Sequence, residues 1–197
     1  TRCALEYLLS RREVDPKRIG MTGASGGGFN TWMTTAIDDR ITVAVPVVGT
    51  SDFYEQTVAV RPLDWYHANE HCHFVAGLMR YANNHELLAM AAPRPLLIIA
   101  ASEDQSFPVN GVRQVASYGR QLYAAHAQVD KMRYFEDSTA GHGYKANATL
   151  GEMIGIALSD RQAQMGHADS RMTMHYTHTD LDRRRASIEQ MAGLLVD

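Results

Sequence analysis

Cysteine is scarce: only Cys3 and Cys72 occur in 197 residues. Two cysteines build no disulfide framework, so the fold must rest on an ordinary hydrophobic core. No apolar run approaches the length needed to span a bilayer, so no membrane span is expected. A basic excess is also lacking. Nineteen Lys and Arg stand against 22 Asp and Glu, for a net charge of −3 and a pI near 6.3. That balance argues against a dedicated nucleic-acid binder. A starting Met is missing too: the chain opens with Thr1 inside a helical pattern. Any targeting segment would then lie upstream, and the compartment is left unassigned. Apolar residues make up 45% of the chain, enough for one real core and one medium domain or a domain with an appendage.

Periodicity alternates along the chain. Leu5, Leu8 and Leu9 stand at helical spacing in residues 2–11, and Asp15-Pro16 marks a turn. A short strand is expected at 18–22 and a helix at 27–37. The run Ile41 to Val48 is apolar and β-branched, as in a strand buried on both faces. Pro46 within it predicts that the ladder ends there. Residues 50–91 break the rhythm, with Trp65, Tyr66, His67, His71, Cys72 and His73 and a helical patch at Glu86 to Met90. Long segments of this kind are often lids or substrate walls. A strand follows at 95–101, a helix at 109–126, a last strand at 132–135 and a loop from Glu136 to Tyr144. Strands alternating with helices predict an α/β domain with a parallel sheet of about four strands.

The chemistry centres on residues 18–32, RIGMTGASGGGFNTW. Gly23-Ala24-Ser25-Gly26-Gly27 fits G-x-S-x-G, in which a serine sits on a sharp strand-to-helix turn. The turn strains the serine backbone, so small residues are expected two positions to either side, at Gly23 and Gly27. The helix that follows aims its first N–H groups at the site, with Gly26 N–H as an oxyanion donor. By itself the pentapeptide also fits a plain Gly-rich connection. Its partners come later. Asp104 stands at the C-terminal end of the 95–101 strand, and His142 stands in the loop after the last strand. Ser, then Asp, then His is the chain order of α/β-hydrolase triads, and open α/β sheets place their sites at these strand ends. In this reading Ser25 is the nucleophile, His142 the base and Asp104 the group that orients the base. Glu103 competes with Asp104. Asp104 is preferred as the shorter side chain directly before the turn Gln105-Ser106-Phe107-Pro108.

Longer phrases narrow this further: Asp15-Pro16-Lys17-Arg18-Ile19-Gly20, the elbow GASGGG, Asp38-Asp39-Arg40-Ile41, Ala44-Val45-Pro46, His71-Cys72-His73 before GLMRYA, and AAPRPLLI leading to EDQSFPVNGV. On these, residues 12–146 resemble the acetyl xylan esterase-like, or dienelactone hydrolase-like, branch of the α/β-hydrolases. The resemblance implies Ser25, Asp104 and His142 as the triad and a small-molecule or carbohydrate ester as substrate, with short acyl groups such as acetyl. It implies no cofactor. No metal is expected at His71-Cys72-His73 either, because adjacent positions rarely point at one ion and no second pair follows.

A complete hydrolase of this class carries several strands before the nucleophile strand, together with a loop that donates the second oxyanion N–H. About 17 residues stand there in this chain. The expectation is a partial α/β-hydrolase fold with one bare sheet edge, prone to self-association. Turnover is expected to be weak, because losing one oxyanion donor typically costs about 10²–10³ in rate.

The hydrolase text occupies residues 1–150, and the character changes over 151–197, expected to form a helical tail. Residues 165–178, MGHADSRMTMHYTH, resemble the C-terminal piece of a tyrosine recombinase of the phage-integrase family. By that resemblance Tyr176 would attack a DNA phosphate, and His167, nine residues earlier, would stabilise the transferring phosphoryl group. The cationic partners that such chemistry requires have no counterpart upstream. From Asp160 onward five arginines face six acidic residues, so there is no basic excess for a phosphate backbone. The leading expectation is a serine esterase. The alternatives are a DNA-associated recombinase-like protein and an inactive junction of two gene fragments.

Overall fold

A computed structural model describes residues 1–59 and 75–142. Trp65, Tyr66, His67, His71, Cys72, His73 and the whole recombinase-like segment, with His167 and Tyr176, lie outside the described residues.

The described chain runs α1 (Arg2–Leu9), β1 (Gly20–Ala24), α2 (Gly26–Ile37), β2 (Val43–Val47), α3 (Asn84–Ala91), β3 (Leu96–Glu103), α4 (Val109–Ala125) and β4 (Met132–Gly141). The four strands form one parallel sheet in the order β1-β2-β3-β4. This is the partial α/β-hydrolase sheet expected. All four strands run parallel, so their C-terminal ends lie along one rim.

Alternation along the strands separates two cores. Ala44, Leu96, Ile98 and Ala100 face one side and pack with Trp32 of α2, Leu87 and Leu88 of α3, and Val112, Val115 and Tyr123 of α4. Val45, Val47, Ile99 and Ala101 face the other and are also buried. Burial of both faces is what a continuous apolar run such as Leu96–Ala101 requires. Arg94 ties the helices to the sheet. Its guanidinium donates to the carbonyls of Met90 and Ala91 at the end of α3, and to those of Thr35, Asp38 and Ile41 at and after the end of α2. Thr35 and Met90 lie in the last turns of their helices, where carbonyls lack a partner within the helix. At the start of α3, Asn83 and Glu86 close a capping box.

Two expectations are corrected. The β2 ladder does not end at Pro46, which pairs with Gly23 inside it and is followed by Val47. Ala44 N–H and Val48 N–H donate toward the β3 side, to Pro95 and Ile99 carbonyls at 3.1 and 2.9 Å. By alternation the missing Pro46 N–H falls between them, so one gap is bracketed by two made bonds. The last strand is also longer than 132–135. It runs to Gly141 and absorbs most of the loop expected at 136–144. A register shift lets it do so. Ala101 pairs with Asp137, but Glu103 pairs with Gly141. Asp137 builds this bulge locally, its Oδ1 accepting from Thr139 N–H at 2.9 Å and Thr139 Oγ1–H at 2.8 Å.

On its other side β1 pairs with no strand among the described residues.

Candidate active site

Ser25 sits between β1 and α2 with φ 56° and ψ −122°, a left-handed backbone that side chains rarely adopt. Two bonds hold it there. Its N–H donates to Val47 O of the neighbouring strand at 3.0 Å, and its carbonyl accepts Phe29 N–H at 2.9 Å to begin α2. The turn is possible because backbones touch. A Cβ on Gly23 would lie 2.6 Å from the Gly27 carbonyl carbon. Gly27 itself faces open space, so the expected need for a small residue there is not met at Gly27. It falls one residue on. A Cβ on Gly28 would lie 2.4 Å from Val47 O, the acceptor of Ser25 N–H.

Asp104 follows β3 directly and is buried. Its Oδ1 accepts Ser106 N–H at 2.8 Å and Phe107 N–H at 2.9 Å, so the turn after the strand fixes the carboxylate. Glu103, the competitor, is exposed at the end of β3 and pairs through its backbone with Gly141. His142 follows β4. Its Nδ1 lies 3.0 Å from both Asp104 oxygens, and its Nε2 lies 2.8 Å from Ser25 Oγ. The imidazole stacks on the buried ring of Phe107, with centroids 5.8 Å apart and planes 24° apart.

The structure therefore brings Ser25, His142 and Asp104 into one hydrogen-bonded line. An ionised Asp104 only accepts, so Nδ1 carries the proton. Nε2 is then left to accept the Ser25 hydroxyl proton. Gly26 is the first residue of α2, where helix N–H groups have no partner within the helix. Among the described residues no group of three or more His, Cys, Asp or Glu side chains could hold a metal. No described helix is long and apolar enough to cross a membrane.

Some contributors escape the sequence reading. Phe107 supports the imidazole from the turn after Asp104. Gly49, just past β2, abuts Gly28, and a Cβ there would lie 2.3 Å from the Gly28 carbonyl carbon. Gly28 could have been read from its place in the Gly26-Gly27-Gly28 run. Gly49 has no local signal, because its neighbour is brought to it only by the β1–β2 pairing.

The chain is similar to several known proteins. Residues 2–154 match the family model described as the prolyl oligopeptidase family, Peptidase_S9. YtaP of Bacillus subtilis (strain 168), named as a hydrolase, is 32% identical over 139 residues, 71% of this chain and 45% of its own length. The 4-O-methyl-glucuronoyl methylesterase of Neurospora crassa is 26% identical over 158 residues, 72% of this chain and 39% of its own. Among solved structures, a carbohydrate esterase family 15 glucuronoyl esterase from Caldicellulosiruptor kristjansonii superposes with a TM-score of 0.57 at 20% identity. That match covers 90% of this chain and 53% of the esterase. The chain thus spans less than half the length of the curated relatives it matches. The match to residues 2–154 takes in all four strands and the line from Ser25 to Asp104, and the chain belongs to the prolyl oligopeptidase family of α/β-hydrolases.

Proposed function

We propose that this chain supplies the nucleophile, base and acid of a serine hydrolase that cleaves carboxylic esters through an acyl-enzyme. One observation carries the reading: Ser25 Oγ stands 2.8 Å from an imidazole whose other nitrogen is held by a buried carboxylate. In the first half-reaction Ser25 Oγ attacks the ester carbonyl while its proton passes to His142 Nε2. Asp104 holds the tautomer and stabilises the imidazolium. Negative charge developing on the carbonyl oxygen is met by Gly26 N–H at the α2 terminus. Collapse of the tetrahedral species breaks the ester C–O bond, and the leaving alkoxide takes the proton from His142. Water then attacks the acyl-Ser25 with His142 again as base, releasing the carboxylic acid and restoring the hydroxyl.

The substrate class we propose is a short acyl ester, acetyl above all, on a small molecule or a carbohydrate. The acetyl xylan esterase-like phrases on both sides of the elbow support this acyl group. Relatives named for glucuronoyl and methyl esters support an ester linked to a sugar. The test is hydrolysis of p-nitrophenyl acetate by the chain beside its Ser25→Ala variant. Release that disappears with the hydroxyl is expected. Equal release from both would sink the reading.

A further inference from the structure

One polar cluster lies outside the site just described. Glu136 of β4 gathers three donors from three elements. Ser102 Oγ of β3 donates to its Oε1 at 2.6 Å. Arg113 of α4 donates twice, from Nε to Oε2 at 2.9 Å and from its terminal nitrogen to Oε1 at 2.5 Å. Tyr134 OH of β4 donates to Oε2 at 2.7 Å.

The place of this cluster matters more than its strength. Ser102 stands at the irregularity of the β3–β4 ladder, between the pairs Ala101–Asp137 and Glu103–Gly141. Two steps along β3 there match four along β4. Past that point β3 has two residues to reach Asp104, and β4 ends one residue before His142. How the two strands lie at the bulge therefore sets how acid and base meet. Within β4, Asp137 and Thr139 bond to each other in the bulge. Glu136 holds Ser102 across the ladder. A stabilising ion pair could sit anywhere along α4. This one, from a Glu136 that still pairs in register with Ala100, reaches across to Ser102, where the ladder has lost regular pairing.

We propose that Glu136 is a positioning residue for the Asp104–His142 pair: anchored by Arg113 and Tyr134, its carboxylate grips Ser102 and fixes the register in which β3 and β4 deliver acid and base. The inference rests on the serine-hydrolase reading. Arg113's hydrogen bonds hold the Glu136 carboxyl down at about 2, below its usual 4.5. The grip on Ser102 therefore stays charged wherever an esterase would be assayed.

The test compares the whole chain with Ser102→Ala, Glu136→Ala and Glu136→Gln. The first readout is the low-field proton resonance of His142 Nδ1–H, identified by its loss in His142→Ala. The second is kcat and KM for p-nitrophenyl acetate below each variant's unfolding midpoint. Ser102→Ala and Glu136→Ala are expected to shift or broaden the resonance. They should lower kcat roughly tenfold or more with KM little changed, the pattern of small misplacement of a catalytic group. Glu136→Gln keeps an acceptor for Ser102 and should fall between. Ser102→Ala removes one hydroxyl, so folding does not obscure the answer. A wild-type resonance and kcat in every variant, with only a lowered midpoint, would overturn the inference alone. Absence of the resonance in the wild type would overturn the site reading and this inference with it.

Discussion

Gly28 and Gly49 meet backbone to backbone, so closely that a Cβ on Gly49 would lie 2.3 Å from the Gly28 carbonyl carbon and one on Gly28 would lie 2.4 Å from Val47 O. Val47 O is also what holds Ser25 N–H. The glycine contact therefore sets both how near α2 approaches β2 and where Ser25 stands. Gly28→Ala or Gly49→Ala should destabilise by about 1–3 kcal/mol, because backbone rather than a movable side chain must give way. Gly27→Ala meets nothing and removes a helix glycine, so it should stabilise by about 0.5–1 kcal/mol. Urea unfolding of the three variants checks the contrast. Equal effects would contradict the packing described.

This contrast shows which parts of the site the sequence makes legible. Ser25 is legible because the turn that exposes it is local and leaves a pentapeptide. Asp104 and His142 are legible because each follows a strand, and parallel strands place their C-terminal ends on one rim. What depends on contact between distant segments leaves no such trace. Gly49 looks like any residue after a strand, and only pairing with β1 brings Gly28 against it. Pro46 misleads for a related reason. Its effect depends on which neighbour the lost N–H would have faced, and both neighbours are fixed by topology. The β4 bulge hides in Asp137 and Thr139, common turn-forming residues in a stretch that reads as loop.

Asp104 and Glu103 are adjacent carboxylates in different settings. Asp104 is buried and bonded to the imidazole, whereas Glu103 is exposed. Asp104→Asn should preserve the fold but favour the wrong tautomer of His142, lowering kcat by on the order of 10⁴-fold, as in triads generally. Glu103→Gln should leave kcat within about twofold, as a surface change away from the reacting groups. Steady-state kinetics on p-nitrophenyl acetate decide it. A larger loss from Glu103→Gln would move the acid's role to that residue.

Stability should fall on acidification, and two carboxylates should carry much of the slope. Glu136 is held at about 2, chiefly by hydrogen bonds from Arg113. Asp38 is held at about 2, chiefly by the side-chain hydrogen bond from Arg40, against the opposing effect of its own burial. In the unfolded chain both return to ordinary values near 4.5 and 3.8. A folded value below the unfolded one means the unfolded chain binds protons first as pH drops. The contribution is therefore complete above about pH 5 and is lost as pH falls toward 2. Unfolding free energies from pH 7 to pH 3 should show this decline, and Glu136→Gln should flatten it. A wild-type profile that is flat over that range would contradict both assignments.

The exposed side of β1 raises a question of association. Among the described residues β1 hydrogen-bonds only to β2, and its residues are exposed or partly buried. A parallel strand with one unpaired row of N–H and C=O groups is a template for another strand. β1 leads directly into Ser25, so a strand paired with it would be expected to steady that turn. The chain is therefore expected to self-associate, with p-nitrophenyl acetate hydrolysis per chain rising with protein concentration as the edge is covered. Sedimentation velocity and activity measured over the same dilution series test both halves. A monodisperse monomer whose specific activity is independent of concentration would show that the β1 edge needs no second copy of the chain.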